Sequence, residues 1–503
     1  MNDFLAYDAR RPPAMTAAPL LRPGATCWRV EQATRVAILI DSAAYFAAAR
    51  AAMLRARHSI LLLGWDFDLR TPLCPAGPSP SDSDTSAIGP FLKDLAARRP
   101  GLSVRVLIWD MPAIIAAGRD LSTRQTLDWF RDSGVDIRLD PSPAGTCHHQ
   151  KLLVIDGTLA FCSGGDFAID RWDTTGHPDH DPRRIMPSGE EHAPRHEVTM
   201  LVDGPPAAAL AELAHERWFG ATGQAPSPSP PDDTADPWPD GLTPHWTDAP
   251  IGIARTGPSW LGQPGIHEAE ALHLAAIAAA RRFIYLENQY FASSRMAEAL
   301  ATRLAEPDGP EVVLVVSGRS PSYFDRLTMD APRNALIDRL KKSFGPRRFR
   351  AYAPHTHGGR IVTVHSKVAI IDDRLVRVGS ANLNNRSGGH DTECDLVLEA
   401  PRGTAGERAE SAITTFRRRL IGHYMDMDMQ HAAGILAERE HGGLIAAIEA
   451  LEAGVPADSR RLRPLQPNAG PIASLMAMFH LGDPHGPGDA WKPWRRVRPR
   501  RAG

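Results

Sequence analysis

A chain of 503 residues with 43% hydrophobic content exceeds one ordinary core and carries enough apolar residues to bury two or three domains. Its formal net charge of −2 provides no global basic field, which excludes a large footprint on nucleic acid, so no nucleic-acid partner is expected. The cysteines, Cys27, Cys74, Cys147, Cys162 and Cys394, are odd in number, scattered and without CxxC spacing, which argues against a disulfide framework or a thiolate zinc site and fits a reducing compartment.

Residues 1–34 read as an N-terminal extension without the basic and apolar regions of a secretion signal. No segment offers about 18 uninterrupted apolar residues for a membrane span. A cytoplasmic location, with peripheral contact to the inner membrane, is the expectation. In "ARHSILLLGWDF" (56–67) the end of a helix leads into a strand, and "LSVRVLIWD" (102–110) is a second short apolar strand after a charged helical stretch. The Pro/Ser/Asp-rich stretch 75–86 between them reads as a surface loop. After the helical "RQTLDWFRDSGVDIRL" comes "HHQKLLVID" (148–156), predicted as a strand whose alternation places His149 and Lys151 on one face. The stretch 174–194 reads as another surface loop; His177, His180 and Asp181 lie close together in it, and the solvated reading is preferred to a metal site.

Residues 221–248, dense in Pro, Ser and Asp, read as a linker unable to bury apolar area. Beyond it the order repeats. "ARRFIYLENQYF" (280–291) matches 56–67, "PEVVLVVSG" (310–318) matches 102–110, and "HSKVAIID" (365–372) follows the helical "APRNALIDRLKKSFG". An internal duplication follows, with one unit over 35–220, a second over 249–430 and a C-terminal extension over 431–503. Alternating strands and helices make the fold class α/β: two duplicated α/β/α sandwich lobes, each a sheet covered by helices, with one composite active site at their interface.

The repeated motif aligns His149, Lys151 and Asp156 with His365, Lys367 and Asp372. Lysine is scarce: Lys93, Lys151, Lys341, Lys342, Lys367 and Lys492 are the full set, and two of them fall at the same motif position. A compact ammonium suits a phosphoryl oxygen in a way the guanidinium fork does not. Two imidazoles and two ammonium groups converging on one phosphate supply a nucleophile, a proton donor and charge balance, so neither a metal nor another cofactor is called for.

H-x-K-x4-D twice in one chain resembles the phospholipase D superfamily, and the likeness extends over roughly residues 35–430. Gly379, Ser380 and Asn382 in "GSANLNNRS" match the family's G-S-x-N, and Glu393 in "HDTECDLVL" matches its histidine-orienting carboxylate. "YLENQYF", "RHEVTMLVDGP" and "ERW" are similar to further blocks of the superfamily. "CHHQKLLVIDGTLAFCSGGDFAIDRWDT" is similar to eukaryotic-type phospholipase D cores, with Asp166 where the second half has Asn382. Two departures stand out: Gly164, Gly165 and Asp166 are adjacent where that branch has an intervening residue, and Glu197 occupies a usual Asp position.

The resemblance implies a catalytic set of His149, Lys151, Asp156, His365, Lys367 and Asp372. His149 would form a phosphohistidine and His365 would protonate the leaving alcohol, with the roles open to exchange. Lys151, Lys367 and Asn382 would hold phosphate oxygens, Glu197 and Glu393 would orient the histidines, and Asp166 would bind phosphate or orient. For Asp156 and Asp372, at the strand ends, stabilising the local fold is the preferred role. The implied activity is hydrolysis of glycerophospholipids to phosphatidic acid and a head-group alcohol, with transphosphatidylation. Cardiolipin synthase or another phosphatidyltransferase is the alternative, then a superfamily nuclease, then a non-catalytic membrane scaffold, which the intact motifs oppose. The expected partners are a phospholipid substrate and a membrane surface met peripherally by a monomer. The tail "AWKPWRRVRPRRAG" (490–503), with Trp491 and Trp494 among arginines, suits an anionic surface or a solvated terminus.

Overall fold

The computed structural model describes residues 19–75, 86–112, 120–226, 236–259, 262–320, 326–401, 403–427, 429–456, 458–467 and 482–484. The basic tail with Trp491 and Trp494 lies outside the described residues, as do most of the 75–86 stretch and residues 227–235 of the linker.

In the first half, short apolar runs rich in Val, Ile and Leu form β1 (Arg29–Ile40), β2 (Ser59–Gly64), β3 (Ser103–Trp109) and β4 (Val135–Asp140). They are followed by β5 (Leu152–Ile155), β6 (Leu159–Ser163), β7 (Arg195–His196) and β8 (Val198–Asp203). The second half supplies β9 (Trp246–Gly257), β10 (Ile266–His267), β11 (Phe283–Glu287), β12 (Glu311–Val315) and β13 (Phe349–His355). It continues with β14 (Thr363–Val364), β15 (Val368–Ile371), β16 (Leu375–Gly379), β17 (Glu393–Glu399) and β18 (Arg461–Pro464).

The spatial order β4-β3-β2-β5-β6-β8-β1 is matched strand for strand by β13-β12-β11-β15-β16-β17-β9. The duplication read from the sequence is therefore a duplication of topology. Expecting a separate sheet in each lobe needs correction: β1 and β9 pair antiparallel, Val30 opposite Gly252 and Val36 opposite Trp246, so the half-sheets fuse edge to edge. Each half would otherwise expose a long edge strand of unpaired backbone groups, and the pairing closes both edges at once.

Parallel neighbours in each half are joined by helical crossovers, as their geometry demands. Ile88–Arg98 lies between β2 and β3, and Thr123–Phe130, whose first turn is closed by a Ser122/Gln125 capping box, lies between β3 and β4. Ser294–Leu304 and Ala331–Phe344 do the same in the second half. The strands are buried on both faces. Ile60 and Leu62 of β2 pack with Tyr45, Phe46 and Phe91, while Leu61 and Leu63 face the opposite core with Leu210 and Trp218. That second core is continuous beneath both halves, reaching Ile413, Phe416 and Leu420 of the helix Thr404–His423.

Several boundaries shift once packing is seen. β1 starts at Arg29, inside the expected N-terminal extension, because Arg29–Ala33 pair with β9. The linker is partly folded: the helix Pro205–Thr222 enters it, and Trp238 is buried in the first-half core beneath the Arg35 guanidinium. In the expected surface loop 174–194, Arg184 is fully buried and donates to Asp173, Glu191 and the carbonyls of Pro178 and Asp179, which draws His177 and Asp181 inward. The expected C-terminal extension completes the second lobe, with Leu444, Ile448 and Leu451 in the core and β18 paired to β13.

Asp156 and Asp372 occupy equivalent hairpin turns at the ends of β5 and β15 with positive φ of 52° and 56°. The Asp156 carboxylate accepts from the backbone N–H groups of Arg57, His58 and Ser59, and that of Asp372 from Arg281, Arg282 and Phe283. Each carboxylate thus ties the turn after its motif strand to the start of the neighbouring strand. Their inclusion in the catalytic set is corrected on this geometry. Each motif strand places a whole β-strand between its Lys and its Asp, and the carboxylate oxygens are committed to backbone donors. Replacing either aspartate by Ala removes the shared acceptor of three backbone N–H groups, and we expect a loss of about 1–3 kcal/mol in urea unfolding. A change below ~0.5 kcal/mol would contradict this role.

Candidate active site

The motif residues precede their strands: β5 begins at Leu152 and β15 at Val368, one residue after each lysine. His149 and Lys151 therefore do not sit on a strand face, as predicted, but on the segment entering it. Each segment docks on the other half. His149 N donates to Thr392 O and Thr392 N to Cys147 O, while His365 N donates to His196 O and Thr363 N to Pro194 O.

This docking places each histidine beside a carboxylate from the opposite half. His149 Nδ1 lies 2.9 Å from Glu393 Oε2, and His365 Nδ1 lies 2.6 Å from Glu197 Oε2. Glu393 also accepts the hydroxyls of Ser380 at 2.5 Å and Ser387 at 2.6 Å. With Glu393 already accepting two hydroxyls, His149 is the donor through Nδ1, which leaves Nε2 as the working nitrogen. The sequence reading named both glutamates but not their exchange between halves, and it gave Ser387 no role.

The lysines are pinned by matching contacts. Lys151 Nζ donates to His149 O at 2.8 Å and lies 3.5 Å from Asp166 Oδ2, while Lys367 Nζ donates to His365 O at 2.6 Å and to Gln289 Oε1 at 3.3 Å. Asp166 also accepts from the backbone N–H of Trp65 and Asp66, so it orients Lys151 and the loop after β2 and does not present a surface to an anion. Asn382 is buried, and its Oδ1 has no hydrogen-bond partner. Gly164 and Gly165 are required by Glu197: a Cβ on Gly164 would stand 2.6 Å from Glu197 Oε1 and 2.9 Å from Lys367 Cδ, and one on Gly165 2.5 Å from Glu197 Oε2. The longer side chain at position 197 and the contracted Gly-Gly-Asp stretch, noted separately as departures, fit each other.

Burial dominates the electrostatics. Desolvation, with Lys151 and Lys367 adding to it, holds His149 well below the ordinary imidazole range. Desolvation also lowers His365, assisted by Lys367, Arg195, Arg171 and Lys151. Burial raises Glu197 to about 7 and Glu393 to about 8, opposed by nearby cations and, for Glu393, by its serine hydrogen bonds. Protons in each His–Glu pair thus belong to the pair, and the neutral imidazole that a nucleophile needs is the favoured form. Lys367, desolvated beside Lys151, falls to about 7 despite the pull of Glu197.

The family described as "Cardiolipin synthase, PLD-like domain" matches residues 273–419. Over 76% of its length the chain is 24% identical to phospholipase D beta 2 of Arabidopsis thaliana, and over 72% it is 23% identical to phospholipase D2 of Bos taurus. The matched domain and these relatives support the phospholipase D superfamily for this chain. It covers 56% and 49% of those two relatives, so it spans about half the length of the curated relatives it matches. Among solved structures, phosphatidylserine synthase of Haemophilus influenzae Rd KW20 shares the fold, with a TM-score of 0.55 at 13% identity, covering 84% of this chain and 95% of that one.

The lowered pKa of Lys367 leads to an expected pH dependence. With its pKa lowered by burial to about 7, an ammonium holding a phosphate oxygen at this position would lose that hold as pH rises through this value. We expect kcat/KM to decline on the alkaline side of neutrality. In Lys367→Arg, which stays charged, the rate should drop but the alkaline limb should flatten. An unchanged limb in that variant would assign the decline to another group.

Proposed function

We propose that this protein is a phospholipase D, which cleaves the phosphodiester of a glycerophospholipid on the head-group side through a phosphohistidine. The observation that carries this reading is the pair of crossed His–Glu contacts, each with a lysine pinned beside it. One neutral imidazole attacks phosphorus through Nε2 as the bond to the head-group oxygen breaks, and the other imidazole, protonated, hands its proton to that oxygen. Lys151 and Lys367 balance the charge of the non-bridging oxygens. Water or an alcohol, deprotonated by the second imidazole, then releases phosphatidic acid or a new phosphatidyl ester. The names of the relatives support a phospholipid as substrate. No helix among the described residues is long and apolar enough to cross a membrane, which fits peripheral contact with the lipid surface.

We expect His149→Ala and His365→Ala each to lower kcat/KM by at least ~10²-fold, since each removes one partner of the acid–base pair. A variant retaining more than about a tenth of the rate would break the shared-site reading. With phosphatidylcholine, added ethanol should divert product from phosphatidic acid to phosphatidylethanol while choline release continues. Choline release without phosphatidylethanol would argue against an accessible covalent intermediate. Cleavage of single-stranded DNA without head-group release would replace the lipid substrate.

The resemblance assigns attack to His149. The charge distribution favours a neutral His365, because Arg171 and Arg195 reinforce the lysines there while Asp166 and Asp391 oppose them at His149. An aryl phosphodiester whose leaving group needs no acid decides between them. If His149 attacks, His365→Ala accumulates a phosphohistidine at 149 by mass spectrometry and His149→Ala accumulates none; the converse result assigns attack to His365.

A phosphatidyltransferase is the second reading, favoured by the cardiolipin synthase name of the matched family. Offered phosphatidylglycerol in water, such an enzyme would make cardiolipin in preference to phosphatidic acid.

A further inference from the structure

Next to Glu197, whose backbone N–H donates to Asp41 Oδ1, Asp41, His177, His196 and His423 bring their ligand-capable atoms within 4.8 Å of one another, all of them buried. They come from distant segments: Asp41 follows β1, His177 lies in the 174–194 loop, His196 is in β7, and His423 ends the helix Thr404–His423. None of the four belongs to the repeated motif.

The hydrogen bonds around the cluster fix where its lone pairs point. Asp173 Oδ2 accepts from Arg195 N, and Arg184 Nη1 lies 3.3 Å away, so it acts as a carboxylate acceptor; His177 donates to it through Nδ1 at 2.9 Å. His423 lies with Nδ1 2.6 Å from Leu420 O, a carbonyl that can only accept. In both rings Nε2 is consequently a bare acceptor. His196 is committed on both sides, to Asp41 Oδ1 at 2.8 Å and Glu287 Oε2 at 2.9 Å. Asp41 Oδ1 also accepts from Glu197 N. What remains are Asp41 Oδ2, His177 Nε2 and His423 Nε2, three buried atoms without a hydrogen-bond partner.

Three converging lone pairs with no hydrogen between them repel, and a cation seated between them would relieve that. Two imidazoles whose far nitrogens are anchored by a carboxylate and a carbonyl, together with one carboxylate oxygen, are the usual surroundings of a divalent first-row ion. Asp41 Oδ2 and His177 Nε2 stand 3.4 Å apart, the edge of a tetrahedron with metal–ligand bonds of about 2.0–2.1 Å. We propose that Asp41, His177 and His423 bind one zinc-class divalent cation, with His196 holding Asp41 in place from outside the ligand shell.

The ion would staple the first strand and the 174–194 loop of one half to the last helix of the matched repeat in the other. Asp41 N donates to Glu197 O, so the same cross-link steadies the backbone that carries the partner of His365. The role is structural and requires nothing of the phosphoryl chemistry.

The test uses full-length protein stripped with a chelator and titrated with Co(II), whose visible d–d bands report its ligands, and with Zn(II) by calorimetry. One equivalent should bind, raise the thermal midpoint and give an X-ray absorption shell of two imidazoles plus oxygen donors. His177→Ala and His423→Ala should each lose the bands and the thermal shift, whereas the double variant His149→Ala, His365→Ala should keep both. Absence of one-equivalent binding overturns the proposal, as does binding that survives in His177→Ala and His423→Ala or disappears with the active-site pair. Should His177→Ala or His423→Ala not fold, the absorption shell of the wild-type protein decides, since a shell without imidazoles excludes the site.

Discussion

The candidate site depends on an exchange of carboxylates between the two halves. His149 is oriented by Glu393 and His365 by Glu197, so neither half can set its own imidazole. Such an exchange requires the halves to be held in one fixed relation, because a hydrogen bond to a ring nitrogen tolerates only a few tenths of an ångström. The pairing of β1 with β9 supplies that relation. Around it, short parallel bridges seat residues 363 and 364 against 195 and 196, and residue 148 against 392, so each motif backbone is locked to the strand carrying its glutamate. Sheet fusion and site assembly are thus linked, and an isolated half would leave its histidine and its glutamate without their partners.

Burial does the rest. Where two lysines, two histidines and two glutamates pack together, the histidines are pushed down, the glutamates up, and Lys367 towards neutrality. On the proposed reading, an arriving phosphodiester would bring negative charge to the two lysines. The substrate would then supply the counter-charge of Lys151 and Lys367, and the chain's sparing use of lysine fits a residue reserved for that contact.

Much of this was legible from residue order. The two H-x-K-x4-D copies and the strand runs around 60, 105, 284 and 313 follow from local pattern, which is why the α/β class and the duplication could be read, whereas Glu197 and Glu393 are named only through the family resemblance. The buried side of the 174–194 loop could not, since Pro, Asp and His in a loop read as solvated until Arg184 is seen to bury and collect their carbonyls. Trp238 in the linker was likewise hidden, because its burial depends on a stack beneath Arg35 from a strand two hundred residues earlier. Ser387 and Glu287 lie inside the blocks GSANLNNRS and YLENQYF, yet nothing local marks what they do. Each matters only through partners contributed by other strands, Glu287 by bonding His196, Ser366, Tyr285 and Tyr424 together.

The duplication also explains why the two halves have drifted apart where they have. Identical motifs would give the two imidazoles equal proton affinity, yet attack and proton donation need unequal ones. The difference comes from outside the motif. Asp166 stands by Lys151 where Gln289 stands by Lys367, and Arg171 and Arg195 gather near His365 with no counterpart in the charges that bear most on His149. The same asymmetry appears in packing. Gly164 and Gly165 clear space for the long Glu197, whereas on the other side Ser380 and Ser387 fill space beside Glu393 with hydroxyl donors. One glutamate is therefore held by steric fit beside a lysine stem and the other by hydrogen bonds, so a repeated sequence yields two chemically distinct histidines in a single site.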